Sequence, residues 1–220
     1  MTRGYGQYCG LAKALELVGG RWSLLIVREL LTGPKRYTEL QHGLPGIPTN
    51  ILSSRLRELE EASLVERSLL AHSSSVVYGL TGYGLELEGA VIRLGVWGSK
   101  SLGTPGEDDF ISPSALTLAL RGAFRPDTAK GDDLVVEVRI AGDPIVVSVS
   151  GGEVTFPTGA PSKIHATLRT DPRVFAGLLA GTVDLETAVA SGRMELAGAK
   201  RAARRFFEIF RLPSRETAAT

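Results

Sequence analysis

The stretch from Gly46 to Glu61 constrains this chain more than any other. Leu52, Leu56 and Leu59 recur at i, i+4 and i+7, the spacing that lines up one apolar stripe on a helix. The opposite side carries Asn50, Ser53, Ser54 and Arg57: small hydrogen-bonding groups, an amide and a guanidinium. The carboxylates Glu58, Glu60 and Glu61 gather at the C-terminal end, although the helix dipole favours acids at the start. A helix start free of carboxylates can lie against a phosphate backbone and direct Asn50 and Arg57 at base edges. Taken alone, the pattern better describes an ordinary amphipathic helix with a solvated Ser/Arg face. Its neighbours separate the two readings.

Residues Gly10 to Leu17 read as a short helix with Leu11, Leu15 and Val18 inward, ended by Gly19-Gly20. Arg21 to Leu31 reads as a second, more apolar helix, stopped by Thr32-Gly33-Pro34. Lys35 and Arg36 open a third segment, Tyr37 to His42, and Leu44-Pro45-Gly46 is a turn. Helix, turn and a second helix with a polar outer face make the helix-turn-helix pattern. Leu64 to Arg67 and Val76 to Leu80 are expected as two antiparallel strands around a polar loop, residues 71–75, in the manner of a wing. Thr81 is expected to cap a helix from Tyr83 to about Leu102, with Leu87, Val91 and Leu94 at helical spacing and Val96 and Trp97 after them.

A length of 220 residues accommodates two domains. The net charge of +1 argues against a globally basic surface, so nucleic-acid binding would rest on a local patch. No apolar run is long enough for a membrane span, and the first residues lack the apolar core of a signal peptide, so no membrane association is expected. A single cysteine, Cys9, excludes an internal disulfide framework and fits a reducing cytoplasm. His42, His72 and His165 are isolated, so no metal is expected. No nucleophile-base set, phosphate-binding glycine loop or carboxylate pair stands out, and neither an enzyme nor a cofactor is expected.

The first hundred residues resemble the HxlR-type winged helix-turn-helix regulators of bacteria. The resemblance rests on Cys9, the run Leu17 to Trp22, Arg28-Glu29-Leu30, Gly33 to Leu40, Leu44 to Ile47, Leu52, Arg55 to Glu60, Leu64 to Arg67, Tyr78 to Thr81 and Trp97-Gly98. It implies a DNA-binding homodimer that controls transcription, built largely from N-terminal and post-wing helices, on an inverted-repeat site in double-stranded DNA. Three departures stand out. Pro48 occupies the place of a capping Ser or Thr, Tyr37 replaces the more usual Phe, and the wing lacks the usual proline and arginine.

From residue 103 to 110 the composition turns to Gly, Pro and acid, which reads as a linker between a domain over 1–102 and another over 111–220. A helix is expected over Ser112 to Phe124. Leu134, Val136, Val138 and Ile140 then alternate as a strand, followed by strands at Ile145 to Val149, Val154 to Phe156 and Ile164 to Leu168. Helices are expected at Asp171–Leu179, Asp184–Ala190 and Ala199–Phe210, with a short strand possible at Arg193–Leu196. The fold class expected is α+β: a winged helix-turn-helix, then an antiparallel sheet with helices. Residues from Ala166 to Asp171, with Phe175, Leu178, Gly181, Asp184, Ala188, Ser191 to Arg193, Glu195 and Gly198, resemble sterol-carrier-protein-type domains. That resemblance implies an apolar cavity between sheet and helices, able to bind a hydrophobic effector; such domains also occur as purely structural appendages.

The candidate DNA-binding residues are therefore Lys35, Arg36, Thr49, Asn50, Ser53, Ser54 and Arg57, with Ser73 and Ser74 at the wing tip. Arg57 suits bidentate reading of guanine, Asn50 suits adenine, and Arg36 and Lys35 suit phosphate. Phe175, Leu178, Leu179 and Val183 are candidates to line an effector cavity or simply to fill a core. Cys9, with Lys13 one turn later, is a candidate redox-sensing thiol or a packed residue at a dimer surface. The alternative function is a carrier of lipid-like molecules with a vestigial DNA module.

Overall fold

The computed structural model describes residues 4–69, 75–103, 106, 109–140, 144–159 and 161–212. The chain divides into two compact units, residues 1–91 and 92–220, each with its own core.

In the first unit, helix α1 (Gly10–Val18) buries Ala12 and Val18 and leaves Leu11 and Leu15 exposed, at 70% and 44%. The expectation that Leu11 and Leu15 point inward is thus corrected: the buried positions of α1 are Ala12 and Val18, and the side of the helix that carries Leu11 and Leu15 is left outside. Helix α2 (Ser23–Leu30) starts two residues later than the sequence suggests, because Trp22 takes a left-handed conformation at φ 80°. Ile26, Val27 and Leu30 of α2 are buried. Strand β1 (Lys35–Arg36) leads into α3 (Tyr37–Gly43) and then α4 (Thr49–Glu61). Between the last two, Leu44-Pro45-Gly46-Ile47 forms a tight turn, with Ile47 N–H donating to Leu44 O at 3.1 Å and Gly46 at φ 80°. Proline presets the second residue of such a turn, and the third needs the positive φ that glycine adopts freely.

Helix α4 buries the expected stripe: Leu52, Leu56 and Leu59 are at most 2% exposed and pack with Ile26, Leu30, Leu40 and Leu44. Burying each such leucine contributes roughly 1.5–3 kcal/mol, which fixes the rotation of α4 and so dictates which face remains outside. Strands β2 (Val65–Leu69) and β3 (Val76–Leu80) form the antiparallel wing, in register from Val65 opposite Leu80 to Leu69 opposite Val76. The sequence reading missed that β1 adds a third strand, pairing Lys35 with Tyr78 and Arg36 with Val77. Two residues are too few to carry a strand period.

The single helix expected after Thr81 is two: α5 (Gly82–Leu85) and α6 (Glu88–Ser99). Thr81 does cap the first, its hydroxyl accepting from Gly84 N–H at 3.0 Å. No residue of α6 is buried, and Leu94 and Trp97 are 50% and 69% exposed.

In the second unit, α7 (Pro113–Ala123) is capped by Ser112, whose hydroxyl accepts from Ala115 N–H at 3.0 Å. Strands β4 (Asp133–Arg139), β5 (Ile145–Ser150), β6 (Glu153–Thr155), β7 (Ala166–Thr170) and β8 (Met194–Gly198) form one sheet in the order β6-β5-β4-β7-β8. All neighbours are antiparallel except β4 and β7, which run parallel with Val136 opposite Ala166. Helices α8 (Pro172–Ala180) and α9 (Leu185–Ala190) lie between β7 and β8 in the chain, and α10 (Lys200–Ile209) follows. Asp171 and Asp184 cap α8 and α9 through carboxylate bonds to Val174 and Thr187 N–H, at 2.9 and 2.8 Å. The core joins Leu134, Val136 and Val138 of β4 to the aromatic cluster of Phe175, Phe206, Phe207 and Phe210. Phe206 stacks on Phe210 at 4.5 Å between centroids and meets Phe207 edge-on at 5.2 Å. The fold is the α+β architecture expected.

Candidate nucleic-acid interface

Because Leu52, Leu56 and Leu59 are pinned in the core, Thr49, Asn50, Ser53 and Arg57 are exposed on the other side of α4. Arg57 has no hydrogen bond or ion pair to a described residue, so its guanidinium is available to an external acceptor. Arg55, two residues earlier, is spent internally: it pairs with Glu58, and its Nε donates to Arg21 O at 3.2 Å. Ser54 is half-buried and donates to Glu58 Oε1 at 3.0 Å, so of the serines on this helix Ser53 faces outward more openly. Glu60 is taken by Arg67 of β2, at 2.6 Å. The acids at the end of α4 are thereby partly neutralised by the protein's own cations, while Arg57 stays unpaired among the described residues.

The start of α4 is bare. Pro48 is its N-cap, no side chain caps the first turn, and no acid lies in it. Its first backbone N–H groups and the positive end of the helix dipole are left for solvent or for an anion. The neighbouring Tyr37 holds this turn in place. Its hydroxyl donates to Thr49 O at 2.8 Å and lies 3.2 Å from Ser53 Oγ. The replacement of Phe by Tyr, a mild departure on sequence grounds, thus ties the first helix of the motif to the start of the second. The extra hydroxyl three residues after Pro34 was the available signal.

Lys35 and Arg36 lie on β1, between the wing and the start of α3. Lys35 is half-buried and Arg36 exposed; Glu39 accepts from the Arg36 backbone N–H at 2.6 Å, leaving the Arg36 side chain outside. The structure therefore sets β1 directly before the helix that Tyr37 ties to α4. Ser73 and Ser74 lie outside the described residues.

Cys9 is the N-cap residue of α1 and is exposed. The backbone N–H groups of Ala12, and then Leu11, hold its thiol below the ordinary range, as amides at a helix start do for a thiolate. Lys13 is not the cause of that shift: its ammonium pairs with Glu16 at 3.3 Å.

In the second unit, Phe175, Leu178 and Leu179 are each 2% exposed and belong to the core, with Val183 half-buried against it. Phe175 meets Phe206 and Phe207 at 6.5 and 5.8 Å between centroids, so aromatic rings occupy the ground between this helix and the last one. Leu178 and Val183 also line an open cleft of about 610 Å³ beside α10, which Phe175 and Leu179 do not reach. Among the described residues no group of His, Cys, Asp and Glu is placed to hold a metal. No described helix is long and apolar enough to cross a membrane.

Comparison with known proteins divides the chain in the same sense. Residues 17–105 match the HxlR-like helix-turn-helix family, and residues 119–211 match the SCP-2 sterol transfer family. The HTH-type transcriptional regulator YodB of Bacillus subtilis is 35% identical over 91 residues, 41% of this chain and 81% of YodB. The HTH-type transcriptional regulator Rv3095 of Mycobacterium tuberculosis is 44% identical over 98 residues, 43% of this chain; the chain spans 60% of the length of Rv3095. Among solved structures, reduced YodB aligns with 46% of this chain and all of its own, at 34% identity and a TM-score of 0.39.

Proposed function

Since the chain belongs to the HxlR-like helix-turn-helix family, we propose that it is a sequence-specific DNA-binding regulator of transcription that acts as a homodimer on an inverted repeat. The observation that carries this reading is the outer face of α4: an uncapped, acid-free start followed by exposed Asn50, Ser53 and unpaired Arg57. In this reading α4 enters the major groove, Arg57 and Asn50 read bases, and Arg36, Lys35 and the first amides of α4 hold phosphates. The exposed Leu11, Leu15, Leu94 and Trp97 supply apolar surface for a second copy.

The residues after the linker act as a ligand-binding unit that biases the DNA-competent arrangement. The match of residues 119–211 and the cleft beside α10 support this. A ligand acts there only through a difference in its affinity for two arrangements of the dimer, and a coupling of about 1–3 kcal/mol makes a useful switch. Mapping of sites bound by the purified full chain on fragmented genomic DNA tests the function. A shared inverted repeat is the expected result; binding that is indifferent to sequence at physiological salt refutes it and favours a carrier protein.

A further inference from the structure

The hydroxyl bonds at the start of α4 fix more than the position of the helix. The Tyr37 hydroxyl donates to Thr49 O at 2.8 Å, and Ser53 Oγ lies 3.2 Å from the same phenolic oxygen. A carbonyl oxygen only accepts, so the one hydroxyl hydrogen of Tyr37 lies on the line to Thr49 O. The phenolic oxygen then has only lone pairs left for Ser53. The Ser53 hydroxyl is therefore the donor of the 3.2 Å bond, and its single hydrogen points back into the protein. Ser53 is exposed and has no other hydrogen-bond partner among the described residues. It shows lone pairs alone to the outside, and donating to Tyr37 strengthens them as acceptors.

Its neighbours on this face differ in kind. Ser53 stands three residues after Asn50 and four before Arg57, so the three follow one another along the open side of the helix. Arg57 only donates, and the Asn50 amide offers both a donor and an acceptor. The Thr49 hydroxyl has no partner among the described residues and turns either way. Ser54 is committed like Ser53, donating to Glu58 Oε1 at 3.0 Å, but it is half-buried. Ser53 is thus the exposed hydroxyl of α4 whose hydrogen-bonding sense is set in advance. In the major groove the amino groups of adenine N6 and cytosine N4 donate, whereas guanine O6 and N7 and thymine O4 accept. Phosphate oxygens accept as well. A hydroxyl that presents only lone pairs bonds to the amino groups and is repelled by the other atoms.

We propose that Ser53 is a specificity-determining residue of the DNA-reading face, held by Tyr37 as an acceptor, and that it selects an amino base, adenine or cytosine, over guanine or thymine on the strand it faces. Tyr37 is the positioning residue and acts through the hydrogen of Ser53. Phenylalanine in its place keeps the ring and leaves that hydrogen free to turn toward a base, where the hydroxyl both donates and accepts. The inference rests on α4 being the DNA-reading helix. Part of its test reads the hydroxyl hydrogens without DNA, so the two fail separately.

The test lets the full chain select duplexes from a random pool, then compares it with Ser53→Ala and Tyr37→Phe on single-base variants of the selected operator. At one base pair of each half-site the unaltered chain is expected to prefer adenine or cytosine about threefold to tenfold, the worth of one hydrogen bond. Replacing that base by purine or 2-pyrimidinone, which lack the amino group, is expected to remove the same factor from the unaltered chain and nothing from Ser53→Ala. Tyr37→Phe is expected to lose the preference at that pair and to keep those at the others. A hydroxyl that merely stiffened the helix would instead lower the affinity for every sequence alike. Without DNA, neutron diffraction from the deuterated full chain is expected to place the Ser53 deuteron toward Tyr37 Oη and the Tyr37 deuteron toward Thr49 O. A Ser53 deuteron turned to solvent, a Ser53-dependent preference for guanine or thymine, or unchanged base preference in Ser53→Ala or in Tyr37→Phe would overturn the proposal while sequence-specific binding stands. A pool from which no sequence is enriched would overturn the DNA-reading role of α4, and this proposal with it.

Discussion

Arg55 and Arg57 are two residues apart on one helix and serve opposite ends. Arg55 turns back onto Glu58 and Arg21 O, while Arg57 has no partner among the described residues. A helix rotates 100° per residue, so two positions move a side chain from the flank of the buried stripe to the open face. Arg57→Ala should weaken operator binding by about 1–3 kcal/mol and relax the preference at one base pair, whereas Arg36→Ala should weaken all sequences alike and flatten the salt dependence. Electrophoretic mobility shifts on a panel of single-base operator variants, at several salt concentrations, distinguish the two; unchanged base preference in Arg57→Ala would mean that another face reads DNA. Cys9 makes a second residue-scale case. Its thiol is held below the usual range by the α1 amides, so the thiolate predominates from a lower pH than in free cysteine. The rate of alkylation by iodoacetamide should accordingly rise with a midpoint below that of a cysteine peptide. Cys9→Ser should keep normal DNA affinity, since Cys9 is exposed.

Elements were legible where the period was long and one-sided. Helix α4 shows its three buried leucines and its polar face directly in the sequence, and the alternation Leu134-Val136-Val138 shows the inward side of β4. Three kinds of information were not legible. The two-residue β1 has no period. The parallel pairing of β4 with β7 joins segments about thirty residues apart, and neither strand's own pattern says which neighbour it takes. In α1 the eye follows the large residues Leu11 and Leu15, yet Ala12 and Val18 are the ones inside. At the site, the reading face of α4 was visible, but the Tyr37 hydroxyl bonds to Thr49 and Ser53 were not, because they depend on how α3 docks. Removing that hydroxyl in Tyr37→Phe should cost about 1 kcal/mol of stability in urea unfolding and loosen the start of α4. The exposed leucines of α1 carry their own consequence: Leu11→Glu with Leu15→Glu should shift the chain from dimer to monomer in sedimentation and lower operator affinity. A variant that stays dimeric would show that the contact between copies lies elsewhere.

At the scale of the whole chain, the described residues form two buried clusters, and none of them belongs to both. Calorimetry of the full chain should therefore resolve two unfolding transitions, one for each unit. A fragment of residues 1–103 should retain the transition of the first unit and the same operator sequence; a fragment that is unfolded would show that the second unit is needed to hold the first. One feature of that second core bears on how the protein is made. Phe206, on the last described helix, and Phe210, which follows it, are fully buried in the second core. During synthesis every residue of the first core emerges from the ribosome long before them, so the DNA-facing half can be complete while the sheet of the second half still waits, uncovered, for its closing aromatics. For that interval the nascent chain carries an open hydrophobic sheet behind a finished domain, and its exposure to chaperones and to aggregation is set by the time taken to translate the remaining residues.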